Sequence, residues 1–536
     1  MWDASPRDLG YGARGCGCDE APPPVCTVRA RVLRLAVPLA AVLASFVPPS
    51  PFARAAEPAV AATADTSSPT LKGQIDLLLE APILADATVG IHVVDLETGK
   101  VLYQRGPEQA LNPASNVKLL TTAAALVLLG PEHRYATRIL RNDGALSGSV
   151  VKGDVYLVGS GDPNLVTEDL TALASELHAR GIRRITGGVV VDSSRFDRDE
   201  LPPGFDQKDE LASYRAPSSA TSVNFNTFLV RASPGAKVGD AALVGLDPPV
   251  GGITLTNTAT TVAGRGRKLF ADVESVGSGM KIEIRGTIGE DASSGRYRYP
   301  IADPSRNAGE VLLYALKKQG IKVGRRKIKV GPTPNKARSL ATHFSDPLSA
   351  LIRSVNKFSN NFMAEQVLKT LSPTDSAATF AAASKREREA LTSLGIDLDG
   401  ARLTNGSGLY DTNRVSPSQI TALLTAMVGD FRYRADFLAS LAVMGVDGTT
   451  RSRLQDSDAT RWVRVKTGTL DGISALSGYV GARGRKPIVF SLLLNDLPSG
   501  GTSSAREVQN EVALMLSRYA SGRPLRPADE AAANGP

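Results

Sequence analysis

The chain has 536 residues, of which 42% are hydrophobic and 22% are charged, and its formal net charge is +8. This composition is typical of a globular protein, and the length predicts two or three compact units. The basic charge is not gathered into arginine-rich runs with interleaved aromatic residues, so the sequence does not favour nucleic-acid binding.

The first 56 residues have the organisation of a secretory signal. Three arginines precede the apolar stretch 35–47, and the small-residue run 53–56 follows. This order predicts an exported protein, periplasmic or associated with the cell wall, cleaved near Ala55 or Ala56. The apolar stretch has about 13 residues, whereas a bilayer span needs roughly 20, so an N-terminal membrane anchor is the less favoured alternative.

Cysteine and histidine usage argues against thiol and metal chemistry. All cysteines lie upstream of the predicted cleavage point, so the mature protein would contain none, and the histidines are scattered without metal-ligand spacing. We therefore expect no metal and no cofactor. The residues concerned are Cys16, Cys18, Cys26, His92, His133, His178 and His343.

The first predicted elements are a helix, a β-hairpin and a long apolar helix. The helix covers 71–79, and the alternating segment 88–95 turns into a second strand at 101–105. A further helix begins at Ser115 and runs through Leu129. It is apolar on nearly every face, which predicts that it is buried.

The texture changes between residues 144 and 343, where short β-like runs alternate with Gly, Pro and Ser turns. These features predict one or two inserted β-rich modules interrupted by two helices. The predicted strands include 155–158, 188–192, 223–230 and 281–288, and the helices are 170–180 and 309–319.

The last third begins with a helix from Leu348 and ends with three strands and a helix. The strands are 462–469, 475–480 and 488–495, and the helix is 505–519. Strands at both ends around a helical middle predict an α/β (α+β) domain made of 71–143 and 344–520, an antiparallel sheet with helices, interrupted by the β-rich insertion 144–343. The polar tail 521–536 is predicted to be disordered.

The first candidate site is Ser115-Asn116-Val117-Lys118. Residues three apart lie on one face of a helix, so Lys118 can serve as a base for Ser115 once burial lowers its pKa. The pattern also occurs at Ser149, Ser278 and Ser354, but only Ser115 opens a long buried helix. An ordinary N-cap serine is the structural alternative.

Two further polar motifs follow in the chain. Ser359-Asn360-Asn361 separates two helical runs and could relay a proton and hold a substrate amide, or could be a helix-breaking turn. Lys466-Thr467-Gly468-Thr469 occurs once, on a predicted strand. A lysine and two hydroxyls there make a carboxylate site, and Gly468 would let an extended peptide approach, although an ordinary surface strand is the alternative.

Serine–lysine, S-x-N and K-T-G in this order are the signature of penicillin-recognising serine enzymes. The sequence resembles the class C, type 4 penicillin-binding proteins, which are D-alanyl-D-alanine carboxypeptidases and endopeptidases. The resemblance covers about residues 72–517, including the large insertion after the serine. Its motifs are 112–118, 159–163, 214–217, Asn224, Asn226, 356–361, 406–409 and 445–449.

The resemblance implies a penicillin-recognising serine transpeptidase-like fold and a role for each motif residue. It makes Ser115 the acylated nucleophile, Lys118 its base and Ser359 a proton relay, with the backbone N–H groups of Ser115 and Thr469 as oxyanion hole. The substrate would be a D-alanyl-D-alanine peptide of peptidoglycan, and β-lactams would be covalent inhibitors. The residues implied in substrate binding are Asn361, Lys466, Thr467, Gly468 and Thr469.

Two departures from the family pattern and two alternative functions stay open. Asn360 and Asn405 stand where the family often has aspartate. A serine β-lactamase or esterase is one alternative, although no glutamate in the helical part is an obvious base for deacylation. A non-catalytic protein that binds peptidoglycan is the other, and intact Ser115, Lys118 and Lys466 argue against it.

Overall fold

The computed structural model of the protein describes residues 70–277 and 279–525, so the predicted signal and most of the predicted tail lie outside the described residues. The first part of the chain follows the predicted order of helix, hairpin and long helix. Its elements are α1 (Leu71–Leu78), β1 (Thr88–Asp95), β2 (Lys100–Arg105) and α2 (Val117–Leu129).

The stretch between α2 and residue 344 is rich in strands, as predicted, and it holds the two expected helices. Its elements are β3 (Ala136–Arg141), β4 (Leu146–Ser147), β5 (Val150–Val151), β6 (Val155–Val158), α3 (Thr167–Ala179), β7 (Arg184–Ile185), β8 (Val189–Asp192), β9 (Thr227–Ser233), β10 (Leu243–Asp247), β11 (Ile253–Asn257), β12 (Thr260–Val262), β13 (Arg267–Val276), β14 (Gly279–Gly289), β15 (Gly295–Pro300), α4 (Pro304–Lys318), β16 (Lys322–Val323), β17 (Lys329–Val330) and β18 (Arg338–Phe344).

Four sheets organise this stretch within the described residues. A five-stranded sheet has the order β17-β8-β6-β3-β18, and a four-stranded sheet has the order β16-β7-β5-β4. Helices α3 and α4 contribute to a common apolar core with these strands. A three-stranded sheet β10-β9-β15 and a four-stranded sheet around β14 share a second, smaller core.

The strand predicted at 223–230 is wrong in its first half. Asn224, Phe225 and Asn226 have positive φ angles, and the strand begins only at Thr227. The two asparagine side chains account for this, because each bonds to the backbone of another segment. Asn224 Oδ1 accepts from the N–H of Thr167, and Asn226 Nδ2 donates to the carbonyl of Pro217.

The last part of the chain contains most of the helices. Its elements are α5 (Leu348–Phe358), α6 (Asn361–Thr370), α7 (Phe380–Ser393), α8 (Pro417–Gly429), α9 (Arg434–Ser440), β19 (Ala442–Val443), β20 (Val463–Leu470), β21 (Ile473–Ala482), β22 (Arg485–Asn495) and α10 (Thr502–Ala520). The three predicted C-terminal strands are confirmed as β20, β21 and β22, each with ends within a few residues of the prediction.

A six-stranded sheet brings the two ends of the described chain together. Its order is β19-β20-β21-β22-β1-β2, and every pairing in it is antiparallel. The two-residue connection Asp471-Gly472 makes the tight hairpin between β20 and β21 that an Asp-Gly pair favours. The described residues lie in one compact unit, and the domain boundaries at 143 and 344 stay a prediction.

Both faces of this sheet are covered by helices. Alternate residues of β22 point in opposite directions, so Leu492 and Leu494 join a core with α1 and α10, whereas Leu493 joins a core with α2 and α5–α9. Helix α2 is therefore buried, as predicted. Within the described ranges, none of the helices combines the length and hydropathy that crossing a bilayer requires.

Candidate active site

Ser115 lies in a single 3-10 turn, Ala114–Asn116, directly before α2. Asn112 shapes this turn, since its Oδ1 accepts from the N–H of Ala114 at 2.9 Å. The backbone N–H of Asn112 in turn donates to Oδ1 of Asn495 at the end of β22, also at 2.9 Å. The turn that carries the serine is therefore fixed both within itself and against the sheet.

Two glycines enclose the same turn. A Cβ at Gly468 of β20 would lie 3.0 Å from Ala114 Cβ and from Pro113 O, and a Cβ at Gly408 would lie 1.9 Å from Ala114 O. Gly408 also has φ +73°, which favours glycine. Gly468 thus allows the serine turn to lie directly against β20, and the predicted approach of an extended peptide to this glycine stays a prediction.

Three acceptors surround the amine of Lys118, whose side chain is fully buried. Its Nζ lies 2.9 Å from Ser115 Oγ, 2.8 Å from Asn361 Oδ1 and 2.6 Å from the carbonyl oxygen of Ser407. A neutral amine has only two N–H groups. If Asn361 and Ser407 accept these two, the lone pair of the nitrogen faces the hydroxyl of Ser115.

The buried position also changes the acidity of this amine. Burial lowers the pKa of Lys118 from 10.5 to about 7, and the charge of Glu365 opposes the shift. At and above neutral pH a large part of Lys118 is therefore unprotonated. An unprotonated amine in contact with a serine hydroxyl can act as a general base.

The Ser359-Asn360-Asn361 motif is a turn between α5 and α6. Ser359 ends α5 in the left-handed region, with φ +57°, and Asn360 caps α6 by accepting from the N–H of Met363 at 3.0 Å. Asn361 is the first residue of α6. Its Oδ1 contacts Lys118, and its Nδ2 donates to the carbonyl of Tyr214 in the insertion at 3.3 Å.

Lys466 on β20 connects this turn to the K-T-G strand. Its buried Nζ donates to Ser359 Oγ at 2.8 Å and to the carbonyl of Thr467 at 2.6 Å. Burial, and secondarily the charge of Lys118, hold the pKa of Lys466 well below its usual value. The hydroxyl of Thr467 donates to Thr449 Oγ1 at 2.7 Å, and Thr469 is exposed.

The structure thus brings together the three motifs that the sequence placed far apart. Lys118 is hydrogen-bonded to Ser115 and Asn361, and Lys466 is hydrogen-bonded to Ser359, so both lysines are anchored on the same polar turn. In the part of the chain that the structure describes, no group of three or more His, Cys, Asp and Glu side chains is arranged to hold a metal ion. The arrangement can perform nucleophilic acyl transfer with a lysine as base.

Comparison with known proteins agrees with this geometry. The profile of the D-Ala-D-Ala carboxypeptidase 3 (S13) family matches residues 71–519. The D-alanyl-D-alanine carboxypeptidase of Actinomadura sp. (strain R39) is 36% identical over 87% of this chain and 88% of its own length. The chain belongs to the D-Ala-D-Ala carboxypeptidase 3 (S13) family. It is a serine-type D-Ala-D-Ala carboxypeptidase, a hydrolase, and the predicted enzyme class is confirmed.

One further relative and one solved structure match most of this chain. The D-alanyl-D-alanine carboxypeptidase DacB of Haemophilus influenzae is 23% identical over 78% of this chain and 87% of its own length. The crystal structure of penicillin binding protein 4 (dacB) from the same organism matches with a TM-score of 0.71 at 21% identity, covering 83% of this chain and 99% of that chain. The predicted fold class and the resemblance to type 4 penicillin-binding proteins are confirmed.

The sequence analysis did not identify Glu365, a buried carboxylate next to the loop that binds Lys118. Glu365 of α6 is 1% exposed, and its two oxygens accept from the backbone N–H groups of Gly406 and Ser407 at 3.0 and 2.8 Å. The available signal was its spacing, since Glu365 follows Asn361 by four residues and so lies on the same helix face. Because both oxygens bind the backbone, Glu365 is not placed as a base for deacylation.

The two asparagines that depart from the family pattern have structural partners. Asn360 caps α6, which aspartate would do equally well. The Nδ2 of Asn405 donates to the carbonyls of Pro203 and Leu409 and to Thr412 Oγ1, at 3.1, 3.3 and 2.8 Å. An aspartate could not donate these bonds, so Asn405 helps to hold residue 203 of the insertion against the 405–412 loop.

Gly408→Ala is expected to destabilise the protein and abolish acylation, because the new methyl group overlaps the Ala114 carbonyl and the residue needs a positive φ. We expect a loss of more than about 3 kcal/mol in the free energy of unfolding. Gly400→Ala is the control, since Gly400 also has positive φ, +68°, but no atom within 4 Å of its added Cβ. It should lose about 1 kcal/mol and keep its acylation rate. Urea unfolding measures the stability of the two variants, and penicillin labelling measures their acylation rates. Equal losses in the two variants would contradict the role of Gly408 in holding the serine turn.

Proposed function

We propose that this carboxypeptidase cleaves the terminal peptide bond of D-alanyl-D-alanine stem peptides in peptidoglycan through an acyl-enzyme on Ser115. The single observation that carries the proposal is the position of Lys118 Nζ, 2.9 Å from Ser115 Oγ and held from behind by Asn361 and Ser407. Lys118 takes the hydroxyl proton as the serine oxygen attacks the carbonyl carbon of the penultimate D-alanine.

The oxygen of that carbonyl becomes negatively charged during the attack. The backbone N–H groups of Ser115 and Thr469 are proposed to stabilise it, since preorganised donors are the largest contribution in reactions of this kind. Asn361 is proposed to position the substrate amide. When the tetrahedral intermediate collapses, the bond to the last D-alanine breaks. Water then hydrolyses the ester: its oxygen bonds to the carbonyl carbon, Lys118 returns to Ser115 Oγ the proton that it took, and the proton released by the water replaces the one given to the leaving amine.

The leaving amine needs a proton, and Ser359 is the proposed relay. Its hydroxyl accepts from Lys466 Nζ at 2.8 Å, so it can pass a proton to the amine and be replenished from the lysine. Lys466, Thr467 and Thr469 are proposed to hold the terminal carboxylate. A bound carboxylate next to Lys466 favours the charged form of the amine and opposes the effect of burial.

The proposal also includes the compartment of the enzyme and the leaving groups that it accepts. The N-terminal signal predicted from the sequence would deliver the enzyme to the periplasm or the cell wall, where its polymer substrate lies. Endopeptidase action on cross-links would follow the same path, with the amine of a neighbouring peptide as leaving group. β-Lactams would acylate the same serine, as the complex of the H. influenzae protein with a β-lactam suggests.

Mass spectrometry of the protein after treatment with benzylpenicillin tests the proposal. We expect one covalent adduct per chain, located on the peptide that contains Ser115, and a mass for the N-terminus that reports signal cleavage. A β-lactamase would instead turn over the penicillin without a long-lived adduct. A non-catalytic protein would show no adduct, and a label on any other serine would contradict the assignment.

A further inference from the structure

A pair of buried carboxylates lies behind the catalytic lysine and has no part in the mechanism proposed above. Glu365 of α6 and Glu387 of α7 are 1% and 0% exposed. Carboxylates are rarely buried completely, because desolvation disfavours their charged form. The two differ in what they bind.

Glu365 binds backbone that belongs to the active site. Its two oxygens accept from the N–H groups of Gly406 and Ser407, and the carbonyl of the same Ser407 accepts from Lys118 Nζ at 2.6 Å. A Cβ at Gly406 would lie 3.0 Å from the carbonyl oxygen of Ala364, so the glycine lets this loop lie directly on α6. The Gly406–Ser407 loop therefore connects the carboxylate of Glu365 with the amine of Lys118.

The contact with Ser407 decides where the lone pair of Lys118 points. If the Ser407 carbonyl moved away, the neutral amine would keep only Asn361 as a fixed acceptor. Its second N–H could then rotate toward Ser115, and the lone pair would turn away from the hydroxyl. Glu365 prevents this by holding the two N–H groups that set the orientation of the loop.

Glu365 is also the source of negative charge for Lys118. Lys466 of β20 interacts electrostatically with Lys118 and has a charge of the same sign, and Glu387 interacts electrostatically with Glu365. Burial raises the pKa of Glu365, opposed by its hydrogen bonds and by Lys118, and burial raises that of Glu387 to about 8. Glu387 accepts from Thr121 Oγ1 at 2.8 Å, and the same hydroxyl lies 3.3 Å from the carbonyl oxygen of Gly406, so Glu387 is linked to the loop through Thr121 and not through the two N–H groups that Glu365 binds.

We propose that Glu365 is a positioning residue for the catalytic base: it fixes the Gly406–Ser407 loop so that Lys118 presents its lone pair to Ser115, and its charge offsets part of the cost of burying that amine. The proposal rests on the function proposed above, in which Lys118 is the base. It predicts that Glu365 alters both the rate of acylation and the pH at which Lys118 becomes active.

The test is the pH dependence of the second-order rate of acylation by benzylpenicillin, which reports the pKa of the base in the free enzyme. In the unaltered protein the rate should rise with pH through about 7. Glu365→Gln removes the negative charge, so the pKa of Lys118 falls. The rising limb, which is the part of the curve of acylation rate against pH where the rate increases, therefore moves to lower pH by at least about half a unit. The plateau rate should fall about tenfold, because glutamine can accept from only one of the two N–H groups.

Glu387→Gln is the matched control, since it removes a buried carboxylate of the same cluster that does not bind the N–H groups of Gly406 and Ser407, and since glutamine can still accept from Thr121 Oγ1. Its rising limb should stay where it is in the unaltered protein. If Glu365→Gln folds and its acylation rate rises at the same pH as in the unaltered protein, the inference is overturned. This result would also be obtained if Glu365 were neutral. No adduct on Ser115 in the unaltered protein would instead refute the proposed function.

Glu365→Asp replaces Glu365→Gln if the latter does not fold. Aspartate keeps the charge but is too short to reach both N–H groups. The acylation rate should then fall at every pH while the rising limb stays in place. A rate equal to that of the unaltered protein, or a limb that moves as far as expected for glutamine, would contradict the proposed role.

Discussion

Ser115→Ala is expected to lose at least about 10⁴-fold of the rate of D-alanine release and all covalent labelling by penicillin. The reason is chemical, since alanine has no oxygen to form the acyl-enzyme. The fold should persist, because the hydroxyl makes one side-chain contact among the described residues, with Lys118. Release of D-alanine from a stem-peptide analogue and penicillin labelling measure the two losses.

Ser149→Ala is the matched control for this variant. Ser149 also begins an S-x-x-K pattern, but it is exposed and lies between β4 and β5 in the insertion. Its replacement should leave both measurements unchanged. Residual labelling of the Ser115→Ala protein at the unaltered rate would show that another residue is the nucleophile.

Lys118→Met is expected to lower the acylation rate by about 10³- to 10⁴-fold while leaving a folded protein. Methionine fills the space of the aliphatic stem but has no proton acceptor for the serine hydroxyl. Removing the amine ends its desolvation cost but leaves Asn361 Oδ1 and the Ser407 carbonyl without this donor. These opposing effects should keep the midpoint of thermal unfolding within a few degrees.

Penicillin labelling as a function of pH separates this loss from a general defect. The unaltered protein should gain rate as the pH rises through about 7, the value to which burial lowers the pKa of Lys118, and Lys118→Met should lose this dependence. Lys369→Met is the control. Lys369 is also fully buried on α6, but its amine binds Asp197 and the carbonyl of Asp199. Its replacement should cost stability and keep the pH dependence, and the same loss in both variants would contradict the role of Lys118.

The elements with clear local signals were predictable from the sequence. Strand β1 has the predicted bounds, because Val89, Ile91 and Val93 alternate along it and the Thr98-Gly99 turn follows it. The hairpin after β20 follows from Asp471-Gly472, and burial of α2 follows from its apolar faces. The start of β9 was not predictable in this way, since Asn224 and Asn226 also bind Thr167 and Pro217, which lie in other segments of the chain.

Within the site, the motifs were recognisable from the sequence, but the contacts between them were not. Nothing in the motifs indicates that the carbonyl of Ser407 holds the amine of Lys118, because any residue supplies a carbonyl. The close contact of Gly468 with the serine turn was not predictable either, and the expected role of this glycine toward the substrate stays a prediction. These relations depend on how segments some 300 residues apart pack together, which local patterns do not encode.

The closure of the central sheet by strands from both ends has a consequence for biogenesis. The turn with Ser115 rests on β20 and on Asn495 of β22, so nearly the whole polypeptide must emerge before these surfaces exist. In a chain that is still being synthesised, Ser115 is present before the Ser407 carbonyl that orients Lys118. We therefore expect the serine to become reactive only once the central sheet has formed.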